Sequence, residues 1–432
     1  MNYFDINDYV LWRLYLVFFI GLFININIFR RKIYSVFDPL LYHLVWISSM
    51  NAVCFELLLE YSDNAWTFFF CLVSLYYTFN LFVFSKQRIR ENSILLLAKQ
   101  PNYFHYFLLI IAFLILFFSD YINKWNSLLN NGLFASVMYK FELLDRGRPL
   151  YGTIAIIMLY PVYEYISFYV CFFEKRMILR ILVMSLLVHN LIINTVTGSR
   201  SAAMSMLLSL GFFCFYFRRY INQKNTNRLF NRMLLIAAPM TILSLVLVTA
   251  LYMSKTGDIN LNDGWSVILN RIFANADGLD YFVKLDGDKF IDTWGFIKYN
   301  FGVFLNRIGD SDEKNQSLGW KLMELAVGRT LSFSQGPNFM IHLQSLMFFS
   351  PLLAPIYITL TTFCLLKIRY MKSNNLSIKD IWIYSMASNS LSFFVDSEYF
   401  IYQTLISSVF FFISYCFSLC LNEKKRKTYA EW

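Results

Sequence analysis

Long stretches of apolar residues alternate with short polar connections along most of this chain, and few polar positions interrupt the stretches. Runs of this kind reach the ~20 residues that a helix needs to cross hydrocarbon. They fall at about 9–29, 37–60, 65–84, 102–122, 151–173, 178–196, 200–217, 233–253, 341–366, 380–395 and 399–421. Within lipid each must be a helix, because only a helix satisfies its own backbone hydrogen bonds inside one segment. The pattern therefore predicts an all-α, polytopic membrane protein with about eleven transmembrane helices.

Two polar stretches are too long to be simple connections. One covers about 123–150 and the other about 254–340. In the second, Trp265, Ile268, Leu269, Ile272 and Phe273 recur at helical spacing after a candidate N-cap at Asp263. Trp320, Met323 and Leu325 suggest another short amphipathic helix. These pieces are expected to lie on the membrane surface or over a cavity. The expected organisation is residues 1–253 as helices one to eight, 254–340 as a large outer loop, and 341–432 as helices nine to eleven with a tail.

Composition agrees with this picture. Apolar residues make up 57% of the chain and charged residues 15%, well short of the roughly one quarter charged in soluble domains. The first apolar stretch is too long for a cleavable signal and is followed by Arg30, Arg31 and Lys32, so it reads as a retained helix. The net charge of +10 would suit nucleic acid if it were spread over a surface, but it is not. Of 38 basic residues, 23 sit in alternate connections. These are Arg30–Lys32; Lys86, Arg88, Arg90 and Lys99; Lys175, Arg176 and Arg180; Arg218, Arg219, Lys224, Arg228 and Arg232; Lys367, Arg369, Lys372 and Lys379; and Lys424–Lys427. By the positive-inside rule that side is cytoplasmic, which puts the N-terminus outside, the C-terminus inside and the 254–340 loop outside. All seven cysteines lie in apolar runs, Cys-x-x-Cys is absent and there are four histidines, so neither a disulfide nor a zinc site is expected. No Gly-rich phosphate loop is evident.

The sharpest motif is Thr197-Gly198-Ser199-Arg200-Ser201-Ala202, which joins two apolar runs with almost no loop. Gly198 and Ser199 permit a tight turn, and the following helix begins at the outer face. Its first amides and the Arg200 guanidinium would together favour an anion. The plainer role for Arg200 is anchoring to lipid phosphates. Further outer arginines are Arg146 and Arg148, in Asp145-Arg146-Gly147-Arg148-Pro149, then Arg271, Arg307 and Arg329. Any of these can be an ordinary solvated charge. His342, where the large loop enters a span, is a candidate base, and Asp277 and Asp280 are alternatives beside Arg271. Glu164, His189 and Asn190 lie inside spans, as hydrogen-bonded core groups or as functional ones.

The Thr-Gly-Ser-Arg-Ser turn, the aromatic-rich body and the large late outer loop resemble the O-antigen polymerase (Wzy-type) family of oligosaccharide repeat-unit polymerases. The resemblance implies a glycosyltransferase of the bacterial inner membrane. It would transfer a growing glycan from undecaprenyl diphosphate to a new lipid-linked repeat unit on the periplasmic face. The implied catalytic residues are Arg200, Arg271 and His342, with Arg146, Arg148, Ser199 and Asp277 binding the diphosphate or glycan. The implied partners are the undecaprenyl-diphosphate-linked oligosaccharide, the bilayer and a chain-length regulator membrane protein, with no nucleic acid, metal or cofactor. A lipid-linked oligosaccharide flippase and an O-antigen ligase are the alternatives. The large outer loop and the lack of an internal repeat speak against the flippase.

Overall fold

The computed structural model describes residues 9–35, 38–85, 99–130, 132, 150–196, 202–221, 235, 239, 273, 276–290, 295–296, 318–328, 330, 340–371, 378–389, 400–401 and 403–416. Among them every regular element is a helix: α1 (Leu11–Phe29), α2 (Pro39–Glu60), α3 (Ala65–Phe84), α4 (Tyr103–Asn130), α5 (Leu150–Phe173), α6 (Met177–Val196), α7 (Ala202–Tyr216), α8 (Asp277–Lys284), α9 (Leu318–Val327), α10 (Ile341–Tyr370), α11 (Ile378–Asn389) and α12 (Gln403–Cys416). Seven of these, α1 to α6 and α10, are long and apolar enough to cross a membrane. Large apolar side chains on their outer faces are bare, including Trp12, Phe19, Phe23, Leu75, Phe79, Phe107 and Phe118. A surface of that kind is tolerated in hydrocarbon and not in water. The protein is a multi-pass membrane protein whose helices are solvated by lipid. Of the other expected spans, 200–217 corresponds to the 15-residue α7, and 380–395 and 399–421 to α11 and α12. The 233–253 span lies outside the described residues, apart from Leu235 and Pro239.

The helices pack as two groups. The first gathers α1, α2, α3 and α10 around a core that includes Leu44, Ile47, Met50, Phe70, Tyr77 and Ile358. The second gathers α4, α5, α6, α7 and α11 around Tyr163, Tyr165, Ile166, Phe213 and Tyr384. Both cores are rich in aromatic rings in edge-to-face contact, as between Tyr165 and Tyr384, whose centroids are 5.2 Å apart.

Local sequence sets where the helices begin and bend. Asp38 caps α2 by accepting the Leu40 amide at 3.0 Å, with Pro39 at the first helical position. Asn64 caps α3 through the Trp66 amide at 3.0 Å. In α10, Ser350 leaves the helix at φ 59° and ψ 162°, immediately before Pro351. A residue preceding proline is driven out of the α region, so the long helix is two segments across a kink. α4 runs past the expected end of its span at 122 to Asn130, passing through a π turn at Phe117–Tyr121. The outer loop expected from about 123 is corrected accordingly: its first eight residues are helix.

Connections bearing the basic clusters come together at one end. Lys32 donates to the carbonyl of Ser85 at 2.9 Å, and Arg369 donates to the carbonyl of Lys32 at 3.0 Å. Arg218 reaches the carbonyl of Tyr370 at 3.4 Å, and Tyr169 reaches that of Lys99 at 2.6 Å. Burial pushes Arg218 down to about 10, with repulsion from Arg369 adding to the effect, so it keeps its charge at neutral pH. Lys32 is lowered for the same two reasons, burial first.

Candidate functional site at the opposite end

At the other end, α8 and residues beside it fold down onto α1, α2 and α3. The apolar face of α8 drives this. Phe282 inserts between Trp66 and Phe70, each ring centroid 5.5 Å away, while Phe273 packs on Tyr15 and Phe18 at 5.8 and 5.7 Å. Polar contacts fix the position. The Tyr9 hydroxyl donates to Asp280, which also pairs with Lys284 at 3.2 Å. Arg13 in the first turn of α1 grips the buried Glu56 of α2, with Nε at 2.7 and 2.9 Å and Nη2 at 2.6 Å.

Between α8 and the α2–α3 connection lies a cleft of about 530 Å³. Glu60, Asp63, Asp286 and Asp288 supply carboxylates around it, Ser62 and Asn64 supply neutral polar groups, and Tyr61, Trp66 and Phe282 supply rings. Asp286 adopts the left-handed conformation at φ 50°, turning the chain sharply after α8. Gly287 follows, and its bare Cα lies against the Phe282 ring where any Cβ would clash. Among the described residues, no group of three His, Cys, Asp or Glu side chains converges as a metal site. Phe282 is buried beneath the cleft, but the partly exposed rings of Tyr61 and Trp66 beside hydrogen-bond acceptors form a surface suited to polyhydroxylated ligands, whose ring faces stack and whose hydroxyls donate. The same carboxylates repel a diphosphate.

Of the residues singled out from sequence, Arg146, Arg148, Ser199, Arg200 and Arg271 lie outside the described residues, as do Arg307 and Arg329. Asp277 and His342 are described, and both belong to this end. Asp277 opens α8 and is buried, in the first turn where a carboxylate favours the helix dipole. His342 sits in the first turn of α10 and is fully enclosed, flanked by the core residues Ile341 and Leu343. Contact between its imidazole and a substrate would require this packing to open. The helix expected from Trp320 and Met323 is α9, with Trp320, Leu322 and Met323 buried.

Sequence reasoning missed the contribution of the α2–α3 connection. Its run Glu60-Tyr61-Ser62-Asp63-Asn64-Ala65-Trp66 mixes acids and rings, which was the available signal. No family model, no curated protein and no solved structure matches this chain.

Proposed function

We propose that this protein is an oligosaccharide repeat-unit polymerase of the O-antigen type, with eleven spans, an external N-terminus and its active face on the periplasmic side of the bacterial inner membrane. The observation that carries the reading is the cleft between α8, a piece of the large outer loop, and the α2–α3 connection. It offers rings and carboxylates to a glycan at the end of the bundle opposite the basic connections. The Thr197–Ala202 turn, with Arg200, adds an anion-binding motif expected on that same side.

The proposed step is a substitution at the anomeric carbon of the growing glycan. A hydroxyl oxygen of the incoming repeat unit forms the new bond. The bond from the anomeric carbon to the phosphate oxygen breaks, and undecaprenyl diphosphate leaves with the electron pair. The hydroxyl proton passes to a base, for which Asp277, Asp280 and His342 are the candidates, His342 only once the packing around it opens. Arg200 and Arg271 would stabilise the charge growing on the leaving diphosphate, with Arg146, Arg148 and Ser199 helping to hold it. The donor is preactivated, so the step consumes no nucleotide. A chain-length regulator is the expected protein partner.

Deletion of the gene followed by surface polysaccharide analysis tests this. Loss of the long ladder with a single capped unit retained supports a polymerase. Loss of all attached units supports instead a lipid-linked oligosaccharide flippase or an O-antigen ligase. The flippase reading gains from one observation: Glu164 and the Asp120–Lys124 pair lie within spans, where transporters keep coupling groups.

A further inference from the structure

Glu164 lies well inside α5 and is buried, with its side chain held among four other helices. The hydroxyls of Tyr160, one turn earlier on α5, and of Ser209 lie beside its carboxyl group and act on it. The titratable groups facing it are Tyr121 from α4, Tyr160 and Tyr163 from α5, and Tyr384 from α11. From α6 and α7 it meets Asn190, through Tyr160, and Ser209. No basic side chain among the described residues faces it. A carboxylate placed there without a counter-charge costs several kcal/mol, whereas the neutral acid is tolerated when hydrogen-bonded.

The surroundings do not end at Tyr160. Its hydroxyl accepts from the Asn190 amide at 3.1 Å. The Asn190 oxygen accepts from the Tyr121 hydroxyl and from the Asn194 amide, both at 2.6 Å. The Asn194 oxygen accepts from Lys124 at 2.7 Å, and Lys124 pairs with Asp120. This polar seam climbs from the Tyr160 hydroxyl, beside the buried acid, to an ion pair on α4. Lys124 is six residues from the end of that helix at Asn130, a rise of about 9 Å. The π turn at Phe117–Tyr121 lies where α4 delivers Asp120 and Tyr121 to the seam, and such turns are frequent at functional sites. A purely structural contact between helices would be made more cheaply by apolar packing.

We propose that Glu164 is a proton-exchange site, loaded and unloaded along this seam from the end of the bundle that carries Asp120 and Lys124. In release, the acid O–H bond breaks, the proton passes to a water molecule admitted beside Tyr160 and Asn190, and the carboxylate keeps the electron pair. Uptake is the reverse, and nothing is oxidised or reduced. The inference does not depend on the proposed transferase: a carrier would use the same site.

The test is an infrared pH titration of the purified protein in lipid nanodiscs, following the carbonyl band of the protonated carboxylic acid. The wild type should show a buried acid band that titrates and shifts in heavy water. Glu164→Gln, which keeps the shape and the hydrogen-bonding capacity, should lose it. An unchanged band in Glu164→Gln overturns the proposal. Should that variant fold poorly, Ser209→Ala and Tyr160→Phe each remove one hydroxyl beside the carboxyl group and should shift the frequency of that band. An unchanged frequency in both overturns the proposal as well. Asn190→Leu interrupts the seam and should slow exchange into heavy water while preserving the band, and undiminished exchange would refute the route.

Discussion

Arg369, the penultimate residue of α10, holds Asp38, the N-cap of α2, with Nε at 2.7 Å from Oδ1 and Nη2 on Oδ2. The carboxylate is fully buried, and it also accepts the amides of Tyr34 at 2.8 Å and Leu40 at 3.0 Å. One side chain thus caps a helix, closes the α1–α2 connection and ties both to α10. Arg218, from the second helical group, stands beside the pair and reaches Tyr370.

Breaking this pair from one side leaves an uncompensated buried charge. Arg369→Leu should therefore lower stability by about 3–5 kcal/mol, and Asp38→Ala by a similar amount with the cap lost as well. The double variant Asp38→Ala with Arg369→Leu should lose less than the sum of the two single losses. Thermal unfolding in detergent across the four proteins measures this, and strict additivity would disprove the coupling.

Glu174, between α5 and α6, makes a pH-dependent contribution. Burial by itself would raise its pKa, but hydrogen bonds from the Tyr106 hydroxyl and from the backbone amides of Arg176 and Lys175 outweigh it and hold the group below the ordinary 4.5. A folded-state pKa below the unfolded one stabilises the protein above the ordinary value, and that stability is lost as pH falls through the folded value. Unfolding profiles should show a loss beginning below 4.5 that is reduced in Tyr106→Phe and absent in Glu174→Gln. Identical acid limbs in all three would remove Glu174 from the account.

The proposed topology puts Arg232 and Ser311 on opposite sides of the membrane. Reporter fusions after Arg232 should read cytoplasmic and fusions after Ser311 periplasmic. Like readings at the two positions would rule the topology out.

Arg200 is expected to act on the diphosphate through its planar fork. Arg200→Ala should abolish polymer while the protein still inserts, a transition-state loss of about 2.7–4 kcal/mol by analogy with other preorganised donors. Arg200→Lys keeps the charge without the fork and should restore activity only in part. If lysine works fully, or if alanine lowers protein level rather than specific activity, Arg200 is a lipid anchor. Normal ladder length in Arg200→Ala at normal expression would refute the assignment.

The membrane class and the first six long helices were legible in the chain because hydrocarbon imposes a local rule. About twenty apolar residues must form a helix wherever they occur. The basic connections were equally legible, and their gathering at one end follows from the alternation of spans. Sequence ended α4 at 122 because Lys124, Trp125 and Asn126 look like the start of a loop. The fold extends it because Lys124 is matched by Asp120 and Asn194, and the Trp125 indole donates to His189 at 2.8 Å. Asp120 stands one turn away on the same helix, but Asn194 and His189 come from α6, and spacing along one helix does not report partners on another. The same reason hid the Asp38–Arg369 pair, joined across 331 positions, and the seam to Glu164, drawn from α4, α5, α6 and α7. The cleft arose in the same way, since Trp66 and Phe282 meet only when α8 folds back onto α3. Local chemistry determined which segments enter the membrane, and long-range pairing decided which polar groups it buries together.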